Sequence, residues 1–106
     1  MDAALKEKWV AALRSSKYKQ GRSRLRTKDD KFCCLGVLCD VIDSEKWELS
    51  EGGDCYIYTA DRHQSATFIP NTITDVSGSD QSLLIGMNDT NEMSFNRIAD
   101  YIERKL

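Results

Sequence analysis

Apolar positions along the 106-residue chain recur with two periods, and these predict where its elements lie. Leu5, Trp9, Ala12 and Leu13 return at helical spacing, which predicts an amphipathic helix over residues 3–15 with Asp2 as its N-cap. Ser15 and Ser16 end it. Residues 17–26 read as a loop entering a short strand, with Gly21 permitting a backbone turn. From Phe32 to Ile42 the run FCCLGVLCDVI is apolar on nearly every side. Its length and the capping potential of Asp29 or Asp30 favour a helix, although Gly36 lowers its propensity.

The second half is more broken. Residues 48–54 form a polar, glycine-bearing loop, and residues 55–58 and 66–69 read as strands joined by a turn around Asp61 to Gln64. Pro70 suits the first turn of a short helix with Ile73 and Val76 facing inward, closed by a turn at Ser77-Gly78-Ser79. Leu83 to Met87 is a further apolar run. The last element is a helix capped by Ser94, with Met93 and Ile98 as a hydrophobic staple and Phe95, Ile98, Ala99, Ile102 and Leu106 on one face. The fold class is α+β: a single domain over residues 1–106, with N-terminal, central and C-terminal helices packed on a short antiparallel sheet.

Composition narrows this without changing it. With 41% hydrophobic and 30% charged residues and one proline, the chain lies in the globular range. No apolar run reaches the roughly 20 residues that span a bilayer, and the start lacks a signal-peptide pattern, so a cytoplasmic protein without membrane contact is expected. Cys33, Cys34, Cys39 and Cys55 make a poor disulfide framework and read as reduced, buried thiols.

Charge changes the picture more. Arg14, Lys17, Lys19, Arg22, Arg24, Arg26 and Lys28 are seven of the 15 cations, and residues 14–28 hold no acid. The remainder carries eight cations against 17 acids. An acidic remainder repels a nucleic-acid duplex, whereas a small anion is easily accommodated beside the basic segment.

Within KYKQGRSRLR, arginines can donate paired hydrogen bonds to phosphate, Gly21 lets main-chain N–H groups approach an anion, and Tyr18 can stack on a base. If this is a strand, Arg22, Arg24 and Arg26 share one face and Leu25 points to the core. The plainer alternative is a solvated strand whose arginines meet water or pair with acids elsewhere. The candidate ligand-binding residues are Tyr18, Lys19, Gln20, Gly21, Arg22, Arg24 and Arg26, with Asn88 and Asp89 as secondary contacts; the latter two are equally at home in a turn before a helix cap.

Other chemistry is thinner. The cysteine spacings, with His63, match no common zinc pattern, and His63 between Arg62 and Gln64 reads as an exposed turn residue rather than the partner of a thiol nucleophile. No phosphate loop, paired carboxylates or triad is present, so the sequence reads as a non-enzyme needing no cofactor or metal. Trp9 and Trp47 read as core residues.

The succession W-x3-LRS-x-KYKQG-x3-LR, FCCLGVLCD, Phe68-Ile69-Pro70 and Leu84-x2-Met87-Asn88-Asp89-x4-Ser94-Phe95-x2-Ile98-Ala99-x2-Ile102-Glu103 resembles a widespread group of small tailed-phage proteins over nearly all of the chain. Within that group it is similar to the sponge proteins that sequester cyclic nucleotides of bacterial antiphage signalling. Ser23 departs from the glycine expected two positions after Gly21, and Val76-Ser77-Gly78 replaces a more aromatic Trp-Ala-Gly-like step. The resemblance implies a cytoplasmic anti-defence protein that binds a cyclic nucleotide or cyclic dinucleotide without cleaving it. So small a domain has little concave volume, which favours a homo-oligomer. The alternative is an inhibitor that docks its basic segment on a host defence protein.

Overall fold

The computed structural model describes residues 1–60, 63–70 and 73–106. Helix α1, Ala3–Arg14, begins where Asp2 Oδ2 accepts a hydrogen bond from Leu5 N at 2.8 Å. It ends as Ser16 takes a positive φ of 62°. Helix α4, Phe95–Lys105, is capped by Ser94 Oγ, which accepts from Arg97 N, and places Arg104 and Lys105 in its last turn, where they oppose the negative end of the helix dipole. The two helices pack together, and Arg14 bridges them by donating to Glu103 Oε2 at 2.8 Å and Asp100 Oδ1 at 2.6 Å.

Between them runs α2, Cys34–Ile42, whose residues 34–39 are all buried. Its beginning differs from expectation. Lys31 and Phe32 form a strand, and the cap is Cys33, whose Sγ accepts from Gly36 N, rather than Asp29 or Asp30. The cause is tertiary: Phe32 pairs with both Gln20 and Arg26 in the sheet, so the helix can start only after it. Trp9, fully buried, ties α1 to α2 through its indole N–H, which donates to Cys34 O at 2.9 Å.

The sheet contains β1 (Lys19–Gln20), β2 (Arg26–Thr27), β3 (Lys31–Phe32), β4 (Trp47–Leu49), β5 (Cys55–Ala60) and β6 (His63–Ser65). Its order is β1-β3-β2-β5-β4, with β6 also paired to β5. The α+β class holds, but the sheet is mixed rather than antiparallel, because β1 and β3 run parallel with Lys19 opposite Lys31 and Gln20 opposite Phe32.

Two expectations for the second half are corrected. Residues 66–69 are not a strand: Ala66 O is taken by Leu25 N, and Ile69 N and O both bond the side chain of Gln81, so side-chain bonds replace a ladder. The paired strand is β6, so His63 and Gln64 lie in it and not in a turn; the turn positions Asp61 and Arg62 fall outside the described residues. Ser77-Gly78 starts an element instead of closing one. Ser77 Oγ accepts from Asp80 N and caps α3, Gly78–Ile85, which continues into a π-helical turn, Gly86–Thr90. Of the expected helix after Pro70, the described residues retain only a turn in which Ile73 N and Thr74 N donate to Pro70 O; Asn71 and Thr72 fall outside them.

The core joins residues of every helix to Leu25, Phe32 and Tyr58. Trp47 packs on its edge, half-buried. Among the described residues no helix is long and apolar enough to cross a membrane.

Candidate functional site

The basic segment is not one strand. Only Arg26 lies in β2, and residues 21–25 form a looped connection, so Arg22, Arg24 and Arg26 do not share a strand face. Three features define the loop. Gly21 N donates to Phe32 O at 2.7 Å, so tightly against β3 that a Cβ on Gly21 would lie 2.7 Å from that of Lys31. Ser23 has a φ of 72°. Leu25 is buried as expected, its backbone held between Ala66 O and Cys33 N.

Asn88 and Asp89 fix this loop from the π-helical turn. Asn88, fully buried, donates from Nδ2 to Gly21 O at 2.8 Å and accepts at Oδ1 from Gln20 Nε2 at 2.9 Å. Gln20 Nε2 also donates to Met93 O, and Asp89 Oδ2 accepts from Ser23 N at 3.1 Å. Four expected ligand residues, Gln20, Gly21, Asn88 and Asp89, therefore meet, but they bind one another. Their work is to hold the basic loop in one shape.

Tyr18, Lys19 and Arg26 come together elsewhere, in a groove of about 480 Å³ lined also by Lys17, Asp29, Asp30, Phe32 and Asp40. Arg26 is the central group. Its guanidinium sits 4.0 Å from the Tyr56 ring centroid, 5.2 Å from that of Phe32 and 5.6 Å from that of Trp47. Both Nε and Nη2 donate to one oxygen of Asp30, at 2.9 and 2.6 Å. The rings preorganise this cation, since contact with aromatic faces favours it even where water competes.

Tyr18 and Phe32 are the aromatic residues of the groove lining, and behind them a row of rings runs into the core. Tyr18 meets Phe32 edge to face with centroids 5.0 Å apart, Phe32 meets Trp47 at 6.0 Å, and Trp47 meets Tyr58 at 5.0 Å. Asp40 anchors it by accepting from Tyr18 Oη at 2.6 Å and from Trp47 Nε1 at 3.1 Å. Burial, reinforced by this carboxylate, pushes the Tyr18 hydroxyl above its ordinary pKa, so it remains a neutral donor. Lys17 and Lys19 are exposed at the rim, Lys17 lying 5.4 Å from the Tyr18 ring centroid.

Arg22 and Arg24 are exposed and line none of this groove. Arg24 borders a second one of about 240 Å³, with Ser23, Cys33, Phe68, Ile85 and Asp89. A third, of about 540 Å³, lies along α1 and α4, and its arginine, Arg14, is already engaged by Asp100 and Glu103.

The cysteines are all buried and free. Burial pushes the Cys33 thiol up to about 11 and those of Cys34 and Cys39 well above the ordinary range. Thiolate is the reactive form, so these three are expected to resist a thiol reagent such as Ellman's in the native protein and to react on unfolding; rapid native labelling at any of them contradicts this burial. Among the described residues no three metal-ligating side chains gather.

Sequence reasoning missed Phe32, Asp29, Asp30 and Asp40 as groove residues. Asp40 carried a signal, being the one acid in the apolar run from Phe32 to Ile42. A family model described as a domain of unknown function (DUF8296) matches residues 1–106. The chain belongs to that family. No curated protein and no solved structure matches it. For this DUF8296 member, then, the chemistry of the site must be argued from its own side chains: a cation held over aromatic rings, two exposed ammonium groups at the rim, and carboxylates able to accept from a sugar or base.

Proposed function

We propose that this protein binds a cyclic nucleotide or cyclic dinucleotide in the Tyr18–Lys19–Arg26 groove and sequesters it without cleavage, as a phage-encoded anti-defence protein acting in the host cytoplasm. The observation that carries the reading is Arg26, stacked on Tyr56 and opening onto a groove of about 480 Å³ that Tyr18 and Phe32 also line. That volume suits a nucleotide-sized ligand, pockets for small molecules running from about 300 to 1,000 Å³. A phosphate would take the Arg26 fork with Lys17 and Lys19, while the half-buried Tyr18 ring offers a surface to a base. The resemblance to phage sponge proteins supplies the ligand class.

Asp30 occupies the Arg26 fork in the free protein and is the group a phosphate would displace. Its side chain is 60% exposed, and an exposed pair contributes only about 0–1 kcal/mol. Asp30 has a φ of 62°, a conformation that asparagine tolerates. Asp30→Asn should therefore tighten binding by up to about fivefold. Lys19→Ala should weaken it by about tenfold, since a hydrogen bond to a charged group contributes about 1.5–3 kcal/mol.

Calorimetric titration with a panel of cyclic mono- and dinucleotides tests the proposal. Binding of one member at micromolar concentration, and its recovery intact after heating, is the expected result. No binding across the panel ends the reading, and a chemically altered nucleotide would make the protein an enzyme.

A further inference from the structure

We infer that copies of this chain associate head to tail, the acidic Leu49 end of one copy seating in the Arg24 groove of the next. The groove of about 240 Å³ has Phe68 and Ile85 in its wall, Phe68 being 48% exposed. Arg24 lines it and Arg22 lies two positions away in the same loop; both are exposed, and neither forms an ion pair with a carboxylate among the described residues. The acid in its wall, Asp89, is already engaged by Ser23 N and by Asn88 Nδ2. The same bonds hold the arginine loop in place, so little ordering remains to oppose docking.

The complementary feature lies at the far end of the sheet order. Leu49 of β4 is 55% exposed, more than any other large hydrophobic residue described, and β4 is a terminal strand. Exposed Glu48, Glu51 and Asp54 surround it in sequence. The loop that carries them is also fixed: Ser50 Oγ accepts from Asp54 N and Cys55 N, Ser50 N donates to Cys55 O, and Gly53 N donates to Ser50 O. An exposed apolar tip in an acidic stretch of chain thus matches an apolar groove in a cationic loop.

Charge decides the geometry of association. Joining two Leu49 ends brings acid to acid, and joining two arginine loops brings cation to cation. Only the unlike pairing is attractive, and because its two patches differ, it is a heterologous contact that propagates to a closed ring or an open chain. None of the residues lining the Arg26 groove belongs to either patch, and Leu49 is connected to it only through its cross-strand partner Tyr56.

Sedimentation velocity on the full chain and two surface variants tests this. Leu49→Asp removes the tip and Arg24→Glu reverses the groove; both positions are exposed, and circular dichroism confirms folding. The native protein should sediment as an oligomer that higher salt weakens, and each variant alone as a monomer. An equimolar mixture of the two variants should form a dimer, because the Arg24→Glu chain still has its tip and the Leu49→Asp chain its groove. A native monomer, a variant as oligomeric as the native chain, or a mixture that stays monomeric overturns the inference. None of these outcomes bears on calorimetric nucleotide binding, so the two proposals fail separately.

Discussion

Gly36→Ala is expected to destabilise the fold by about 3 kcal/mol or more, although alanine is the better helix former by about 1 kcal/mol. A Cβ at this position in α2 would lie 1.8 Å from Leu25 O and 2.7 Å from Leu25 C. These are backbone atoms, and they cannot swing aside. Leu25 O also accepts from Cys33 N at 3.2 Å, and Leu25 N is bound to Ala66 O, so the carbonyl is fixed from both sides. The helix must move away from the loop, opening the core where Cys33, Leu35 and Val37 are buried. Urea denaturation followed by Trp fluorescence measures the loss. A variant as stable as the native protein would show that α2 does not back directly onto Leu25.

The second large effect is expected at Asn88. Its amide makes three bonds at once, to Gly21 O, Gln20 Nε2 and Asp89 Oδ1, and its side chain has no contact with solvent. Asn88→Ala strands the Gly21 carbonyl and one donor of Gln20, and each buried polar group left unmade costs about 1–3 kcal/mol. A total loss of about 3 kcal/mol follows, together with faster hydrogen exchange at Gly21 and Ser23, whose amides the clamp protects. If stability falls while exchange at those amides is unchanged, Asn88 fills space without holding the loop. Arg26 is fixed instead by Asp30 and the aromatic rings, so the Tyr18–Lys19–Arg26 groove should survive partial loosening of that loop.

Much of the helical frame was legible because its signals are local. Asp2 and Ser94 cap α1 and α4 within three residues of the groups they bind, and the apolar faces of those helices repeat cleanly. Where partners are distant, local reading fails. Phe32 belongs to a strand because Gln20 and Arg26 pair with it, and no period within FCCLGVLCD carries that information. Ser77-Gly78 has the composition of a turn, yet Ser77 Oγ caps α3.

The site divides in the same way. That the basic segment contributes a groove was readable, since Tyr18, Lys19 and Arg26 do line one. The expected alternation of three arginines was not realised, because Asn88 and Asp89, more than 60 positions away, bend the chain between Gly21 and Leu25. Gln20 and Gly21 lie in the segment the sequence singles out, but their polar groups bond Asn88, Met93 and Phe32. Phe32, Asp30 and Asp40 reach the groove from a strand, a turn and a helix, and only tertiary structure assembles them.

Nuclear magnetic resonance of uniformly 15N-labelled protein, titrated with whichever cyclic nucleotide binds by calorimetry, tests the central claim most directly. Arg26 Nε–H lies in the groove, bonded to Asp30, and Trp47 Nε1–H stands behind it, bonded to the groove residue Asp40. The account predicts that these two resonances shift most, with the Arg26 signal moving as phosphate replaces Asp30, while the Arg22, Arg24 and Phe68 signals stay in place. Shifts centred on Arg22, Arg24 and Phe68, with Arg26 and Trp47 unmoved, would contradict it.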